Sequence, residues 1–206
     1  MLEVFLSAFV TLFVVIDPPG CAPIYAGLVA DASPRDQKSM AIRAALIATV
    51  ILFGVALFGE QLLAALHIEL DSFRIAGGIM LFLIALEMVF EKRTQRRNER
   101  ADKIRATPEI EDVSVFPMAM PMLAGPGAIA SIMLLMAQAE GTEQTLVILG
   151  ALALVMLLTL GALMAAAPLM KIFGDKVEAV LTRLLGVLLA ALAAQFVIDG
   201  LKGSFV

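Results

Sequence analysis

Asp17 is followed at once by Pro18, Pro19 and Gly20, and the run before it, Leu2–Ile16, is apolar except for Glu3 at its start. A second Pro-Gly pair, Pro126-Gly127, sits in the apolar stretch AGPGAIAS, Ala124–Ser131, with Gly125 before the proline and no acid. Proline inside a helix removes a backbone donor and pushes the preceding residue out of helical geometry. Each stretch therefore ends one helix and starts another. A helix start carries free N–H groups and a partial positive charge, which attract a carboxylate. At the first break Asp17 can cap its own helix. At the second, Gly125 has no side chain and Pro126 no N–H, so the amides of Gly127, Ala128 and Ile129 are expected to be unpaired. The asymmetry predicts that the second break holds a solute carboxylate, while Asp17 meets an ammonium group or a coupling proton.

The chain that must position these residues is 61% hydrophobic and 17% charged, with a mean hydropathy of +0.95. Soluble domains are near half apolar and about a quarter charged. Apolar runs of about 20 residues read as membrane-spanning helices. Six are expected: Leu2–Val29 interrupted at DPPG, Met40–Phe58, Ser72–Phe90, Val113–Gln138 interrupted at AGPGA, Thr145–Pro168 and Arg183–Ile198. Leu2–Ile16 lacks a basic flank and a small-residue cleavage site, so it reads as part of the mature chain. At about 1.5 Å per residue it covers about 22 Å of an apolar layer about 30 Å thick, which sets the first break inside the membrane. Irregular backbone at that depth must be buried in protein or line a watery cavity. Pro117 and Pro121 are expected to kink the segment before the second break. Gly27, Gly77, Gly78, Gly161 and Gly186 read as points of close helix approach.

Residues 91–112 are dense in charge of both signs and read as a solvated loop between two halves, 1–90 and 113–206. With six spans the loops alternate sides. Thirteen of the Lys and Arg residues then fall on one side, and only Arg74 and Lys202 on the other. The heavy side should be cytoplasmic, leaving both termini outside. The halves also resemble each other. DPPGCAPI matches AGPGAIAS with Pro19-Gly20 on Pro126-Gly127, an offset of 107, and the stretch from Phe73 matches that from Thr182 with Gly77 on Gly186, an offset of 109. Two halves of three spans each must lie upside down relative to one another. Inverted repeats with broken helices in matching places are a secondary-transporter signature.

Rival chemistries find little support. A membrane aspartyl protease needs two facing acids, and Asp199 and Glu87 read as interfacial. His67, the one histidine, falls in a loop between charged residues. No serine sits in a nucleophile motif and no cluster has metal-ligand spacing. Residues 91–112 lack the folded basic surface or interleaved aromatics of a nucleic-acid site. The single Cys21 cannot form an intramolecular disulfide. A passive channel would share the broken helices but needs no coupling ion, and a non-transporting structural factor would show no flux.

DPPGCAPI, FPMAMPMLAGPGAIAS and the charged linker between them resemble the MarC family of bacterial and archaeal inner-membrane proteins over nearly the whole chain. The resemblance implies six spans and a periplasmic amino terminus. It also implies a transporter of small neutral amino acids such as glycine and alanine, whose zwitterion fits the cap asymmetry. Asp17, Pro18, Pro19 and Gly20 match the first motif of the family, and Gly125, Pro126 and Gly127 the second; Cys21 stands where the pattern usually has Asn. The expected fold is therefore all-α and integral to the membrane, with six helices as a three-plus-three inverted repeat whose first and fourth helices are discontinuous. The expected solute-binding set is Asp17, Pro18, Pro19, Gly20, Cys21, Gly125, Pro126, Gly127, Ala128 and Ser131, with Thr11 and Tyr25 close enough to add hydrogen bonds. The partners are a small zwitterion and the lipid bilayer, with no nucleic acid. No cofactor or metal is expected beyond a coupling proton or sodium ion, and no catalytic residue.

Overall fold

A computed structural model of the chain is helical throughout its described residues, which are 1–90, 92, 95, 99 and 112–205, with the backbone alone for 167–179 and 181. Most of the charged linker, 91–112, lies outside them. Five segments, with Leu2–Leu28 counted as one, are long and apolar enough to cross a membrane, or six if one bent pair is a single span. The chain is an all-helical, multi-pass membrane protein by that measure.

The first half opens with α1, Leu2–Ile16. Phe5, Phe9 and Phe13 fall one turn apart along it and stack, with ring centroids 6.0 and 5.7 Å apart. After Asp17 comes α2, Pro18–Leu28. The next helix, α3, runs from Pro34 to Ala65, 32 residues. At the usual rise that is about 48 Å, well past an apolar layer about 30 Å thick. The helix starts before the expected Met40 because a side-chain cap begins it in the polar turn ahead of the apolar run. Ser33 Oγ accepts the Asp36 N–H at 3.2 Å and donates to the Asp36 carboxylate at 2.6 Å, with Pro34 in the first turn. The half closes with α4, Leu70–Val89.

The second half opens with α5, Ser114–Leu123, whose wide turns are interrupted by extended backbone at Phe116 and Met120. Each of those residues precedes a proline, Pro117 or Pro121, which excludes it from helical geometry. The expected kinks are present. A bend of 51° separates α5 from α6, Pro126–Ala137. Then come α7, Gly141–Met164, and α8, Ala166–Phe205, whose segment Thr182–Phe205 is the candidate span. The fifth span thus ends before the expected Pro168. That proline falls in the first turn of α8 instead, where its missing N–H is no loss.

The helices interlock across the halves. α1 packs on α7 and α5 on α3; α2 packs on α8 and α6 on α4; α2 packs on α7 and α6 on α3. α4 lies along α8, and α3 meets α7. A Cβ added at Gly78 would stand 2.9 Å from the Ala193 carbonyl oxygen and 2.8 Å from Val197 Cγ2. One at Gly186 would stand 3.1 Å from the Ala85 carbonyl oxygen and 3.1 Å from Val89 Cγ2. Gly77 approaches Leu134 similarly, whereas Gly161 faces open space, so its expected packing role is not found. Small residues line the interior, including Ala8, Ala41, Ala44, Ala48, Ala85 and Ala193, while Val50 is 71% and Leu157 65% exposed. Small side chains let helices approach, and large apolar ones on the outside suit lipid.

Candidate functional site

Asp17 is both the end of α1 and the start of α2. Its backbone is left-handed, φ 59° and ψ 63°. Aspartate tolerates that region better than most residues do. Its N–H donates to the Phe13 carbonyl at 2.9 Å, closing α1, and its carbonyl accepts the Cys21 N–H at 3.0 Å. Its side chain accepts the Gly20 N–H at 3.1 Å, capping α2 as expected. Gly20 is required there: a Cβ would come within 2.3 Å of the Asp17 carboxylate. The Cys21 thiol donates to the Ile16 carbonyl at 3.4 Å, taking up one of the carbonyls orphaned at the end of α1. Asp17 is 2% exposed and Cys21 fully buried.

The second break is built differently. Gly125, φ −78° and ψ 170°, precedes α6 and offers no side-chain cap. A Cβ at this residue would stand 2.3 Å from the Pro121 carbonyl oxygen, so the fold of α5 itself demands glycine. Ile129 donates its N–H to the Gly125 carbonyl at 3.0 Å, so it is not unpaired as expected. The α-helix reaches its regular i to i−4 bonding at that residue, which leaves Gly127 and Ala128 as the amides of the helix start. Pro126 is exposed, whereas Gly127 and Ala128 are buried.

The two breaks touch. A Cβ at Gly127 would stand 3.2 Å from Val15 Cγ1, in the last turn of α1, and 2.5 Å from Ile84 Cδ1 of α4. Residues far apart in sequence, Val15–Cys21 and Gly125–Ser131, thereby share one buried region. Of the three hydroxyls expected nearby, Thr11 donates to the Ser7 carbonyl of its own helix at 2.7 Å. Tyr25 donates to the Gln37 carbonyl. Ser131 is fully buried, and its Oγ meets no hydrogen-bond partner among the described residues. Leaving such a group unsatisfied costs about 1–3 kcal/mol, so a polar ligand there would recover free energy.

The open space lies elsewhere. A cavity of about 340 Å³ is lined by Tyr25, Val29, Gln37, Lys38, Leu163 and Met164, where the end of α2, the start of α3 and the end of α7 converge. Sequence reasoning missed Gln37. Its amide donates to the carbonyls of Val29 and Ala32 at 2.9 and 3.0 Å, tying the turn after α2 to α3. The available signal was a polar amide in the first turn after the Ser33–Pro34 cap. At the same end of α3, Arg43 bridges Asp112 at 2.7 Å. Ser114, whose N–H donates to it at 2.9 Å, and Arg43 hold the Asp112 carboxyl below the usual carboxylate range against partial burial. Among the described residues no group of three or more His, Cys, Asp or Glu could hold a metal.

The family model described as "MarC family integral membrane protein" matches residues 2–205. A UPF0056 membrane protein of Methanocaldococcus jannaschii is 34% identical over 203 residues, 98% of both chains. The UPF0056 membrane protein YvbG of Bacillus subtilis is 31% identical, covering 100% of this chain and 97% of its own. YhcE of Escherichia coli, also a UPF0056 membrane protein, is 30% identical over 98% of this chain and 94% of its own. No solved structure matches.

Proposed function

Because the chain belongs to the MarC family of integral membrane proteins, we propose that it is a secondary transporter of small neutral amino acids, of the glycine and alanine class. Two three-helix repeats in inverted orientation bind the solute where their broken first helices meet. The observation that carries this reading is the approach of the second helix start, Gly127, to Val15 in the last turn before the first, where one start is capped by a buried carboxylate and the other has no side-chain cap. An amino acid has a carboxylate for the amides of Gly127 and Ala128, and an ammonium for Asp17. The unpartnered Ser131 Oγ beside them adds a polar contact.

The packing supports the repeat. Exchanging α1, α2, α3 and α4 for α5, α6, α7 and α8 turns the principal cross-half helix contacts into one another. The register that does this is a single offset of 108. It pairs Gly78 with Gly186, Ala85 with Ala193 and Val89 with Val197, so each glycine meets the corresponding alanine carbonyl oxygen and valine Cγ2. It also pairs the caps Asp17 and Gly125, and the first-turn prolines Pro18 and Pro126. This single register lies between the offsets of 107 and 109 read from sequence; apolar stretches align almost equally well in neighbouring registers. The inward side is the one carrying thirteen Lys and Arg residues, which puts both termini in the periplasm of a bacterial inner membrane and the linker 91–112 in the cytoplasm. Burial of Asp17, Cys21 and Ser131 favours a carrier with a closed centre over an open channel.

The test is uptake of a labelled amino-acid panel into proteoliposomes, with and without a pH gradient. Expected are uptake of the small neutral members and accelerated exchange against internal solute, which a channel does not show. Absence of both for every amino acid rules the reading out.

A further inference from the structure

The offset of 108 pairs Tyr25 of α2 with Met133 of α6, and the surroundings of the two differ. Tyr25 borders the 340 Å³ cavity, whose far wall is Leu163, Met164 and Ala166. The same offset maps that wall onto Val55, Ala56 and Phe58 of α3. There α6 meets α3 through Met133. A Cβ at Gly59, the next residue, would stand 3.0 Å from Met133 Cγ and 3.1 Å from its methyl carbon. Met133 lies flat on the glycine, 8% exposed. Tyr25, 2% exposed, holds its own end through the hydroxyl, which donates to the Gln37 carbonyl. One half therefore has a cavity bordered by a hydrogen-bonded tyrosine, and the other a methionine seated on a glycine.

We infer that the cavity is the cytoplasmic vestibule of the solute path, that Tyr25 with Gln37 is its inner gate, and that Met133 seated on Gly59 is the outer gate. This rests on the transport reading above. An inverted repeat converts between its two faces when each half adopts the other's arrangement. In the outward state Met133 leaves Gly59, opening the equivalent vestibule, and the α2–α7 cavity closes over Tyr25. The two gate types suit their settings. A hydroxyl-to-carbonyl bond can be exchanged for water at a mouth that holds Lys38. A flexible thioether can leave and refill a glycine notch with little change in packing.

The native thiol gives a reporter. Cys21 lies one helical turn before Tyr25, and its counterpart at the same offset, Ile129, lies one turn before Met133. The rate of labelling by a membrane-impermeant maleimide is measured in vesicles of both orientations. Tyr25→Phe keeps the ring and removes the bond. Loss of one hydrogen bond shifts a two-state opening on the order of three- to tenfold. Cys21 labelling is expected to rise by that factor from the cytoplasmic face and not from the periplasmic one. In a Cys21→Ser, Ile129→Cys background, Met133→Ala should raise labelling severalfold from the periplasmic face only, and Met133→Leu should leave it unchanged. Gly59→Val unseats Met133 from the other side and is expected to act as Met133→Ala does if that variant fails to fold. Labelling that changes from the opposite face, from both faces alike, or from neither overturns the assignment. The labelling needs no substrate, so it separates from the function. Face-specific changes without amino-acid uptake would keep the gates and lose the solute. Uptake without face-specific changes would lose the gates and keep the solute.

Discussion

The two broken stretches solve the same problem by different means. In the first, a regular helix α1 runs up to one left-handed residue, and that residue's carboxylate caps the next helix. In the second, α5 is irregular for two turns before the break, and the cap position carries only a hydrogen. The offset of 108 places Phe9 opposite Pro117 and Phe13 opposite Pro121. Stacked rings thus hold one arm straight where prolines break the other. One break is satisfied from within by Asp17. The other leaves its helix start to whatever lies in front of it. On the proposed repeat, equivalent positions diverge into a self-capped end and an uncapped end, the division of labour that the proposed zwitterion would need.

The largest effect that would sharpen this contrast is at the cap glycines. In Gly125→Ala the new Cβ meets a backbone carbonyl oxygen at 2.3 Å, so the chain of α5 must move. Destabilisation of about 3 kcal/mol or more is expected. Gly20→Ala meets only the Asp17 side chain, which can swing away and lose the cap, at about 1–2 kcal/mol. Thermal or denaturant unfolding in detergent measures both. Equal losses would break the distinction between a backbone-built and a side-chain-built break.

Next in size are Gly78→Ala and Gly186→Ala, which press on the carbonyls of Ala193 and Ala85 respectively. Each should cost about 1–3 kcal/mol by overpacking. On the proposed repeat the two losses should be similar, because each glycine presses on the corresponding alanine carbonyl. A large effect at one and none at the other would undo the offset of 108.

Asp17→Asn keeps a capping oxygen and the tolerance for left-handed backbone while removing the charge. Stability is expected to change by less than about 0.5 kcal/mol, because Asn and Asp cap about equally well. Uptake, in contrast, should fall. Normal uptake at every pH would reduce Asp17 to a cap and make the two breaks functionally alike.

The smallest effect lies outside both breaks. Asp112 has its carboxyl held below the ordinary range by Ser114 and Arg43, so its contribution is full above the ordinary carboxylate pKa of about 4 and is lost as pH falls through the lower folded value. Both side chains of the Arg43 pair are about half exposed. Asp112→Asn should therefore cost no more than about 0.5 kcal/mol at neutral pH. Unfolding midpoints of the variant and the parent should converge under strong acid.

Much of the fold was legible because membranes leave sequence little freedom. Apolar runs gave the helices, and Asp17, Pro18 and Pro126 marked helix starts that the structure has at those residues. Pro117 and Pro121 announced the irregular α5 through their effect on Phe116 and Met120. Less legible were the ends of α3, whose cap at Ser33 lies in a polar turn, and the register of the proposed repeat, which apolar composition blurs. Gly125 was legible as a residue without a cap but not as one forced by the Pro121 carbonyl, since that contact depends on how α5 folds back.

The sequence by itself determined the class, the places where helices must stop and restart, and the identity of the one acid at a break. These follow from rules that act within a turn or two: proline lacks a donor, aspartate caps, and long apolar runs leave water. Only the tertiary structure decided that the two breaks touch at Val15 and Gly127, and that Ser131 is left without a partner while Tyr25 and Thr11 are engaged. It also decided that the open cavity lies beside Tyr25 and Gln37. Those facts depend on how α1 packs on α6 and α2 on α7. Such packing is set by the fit of whole helix faces, which no short stretch of sequence contains.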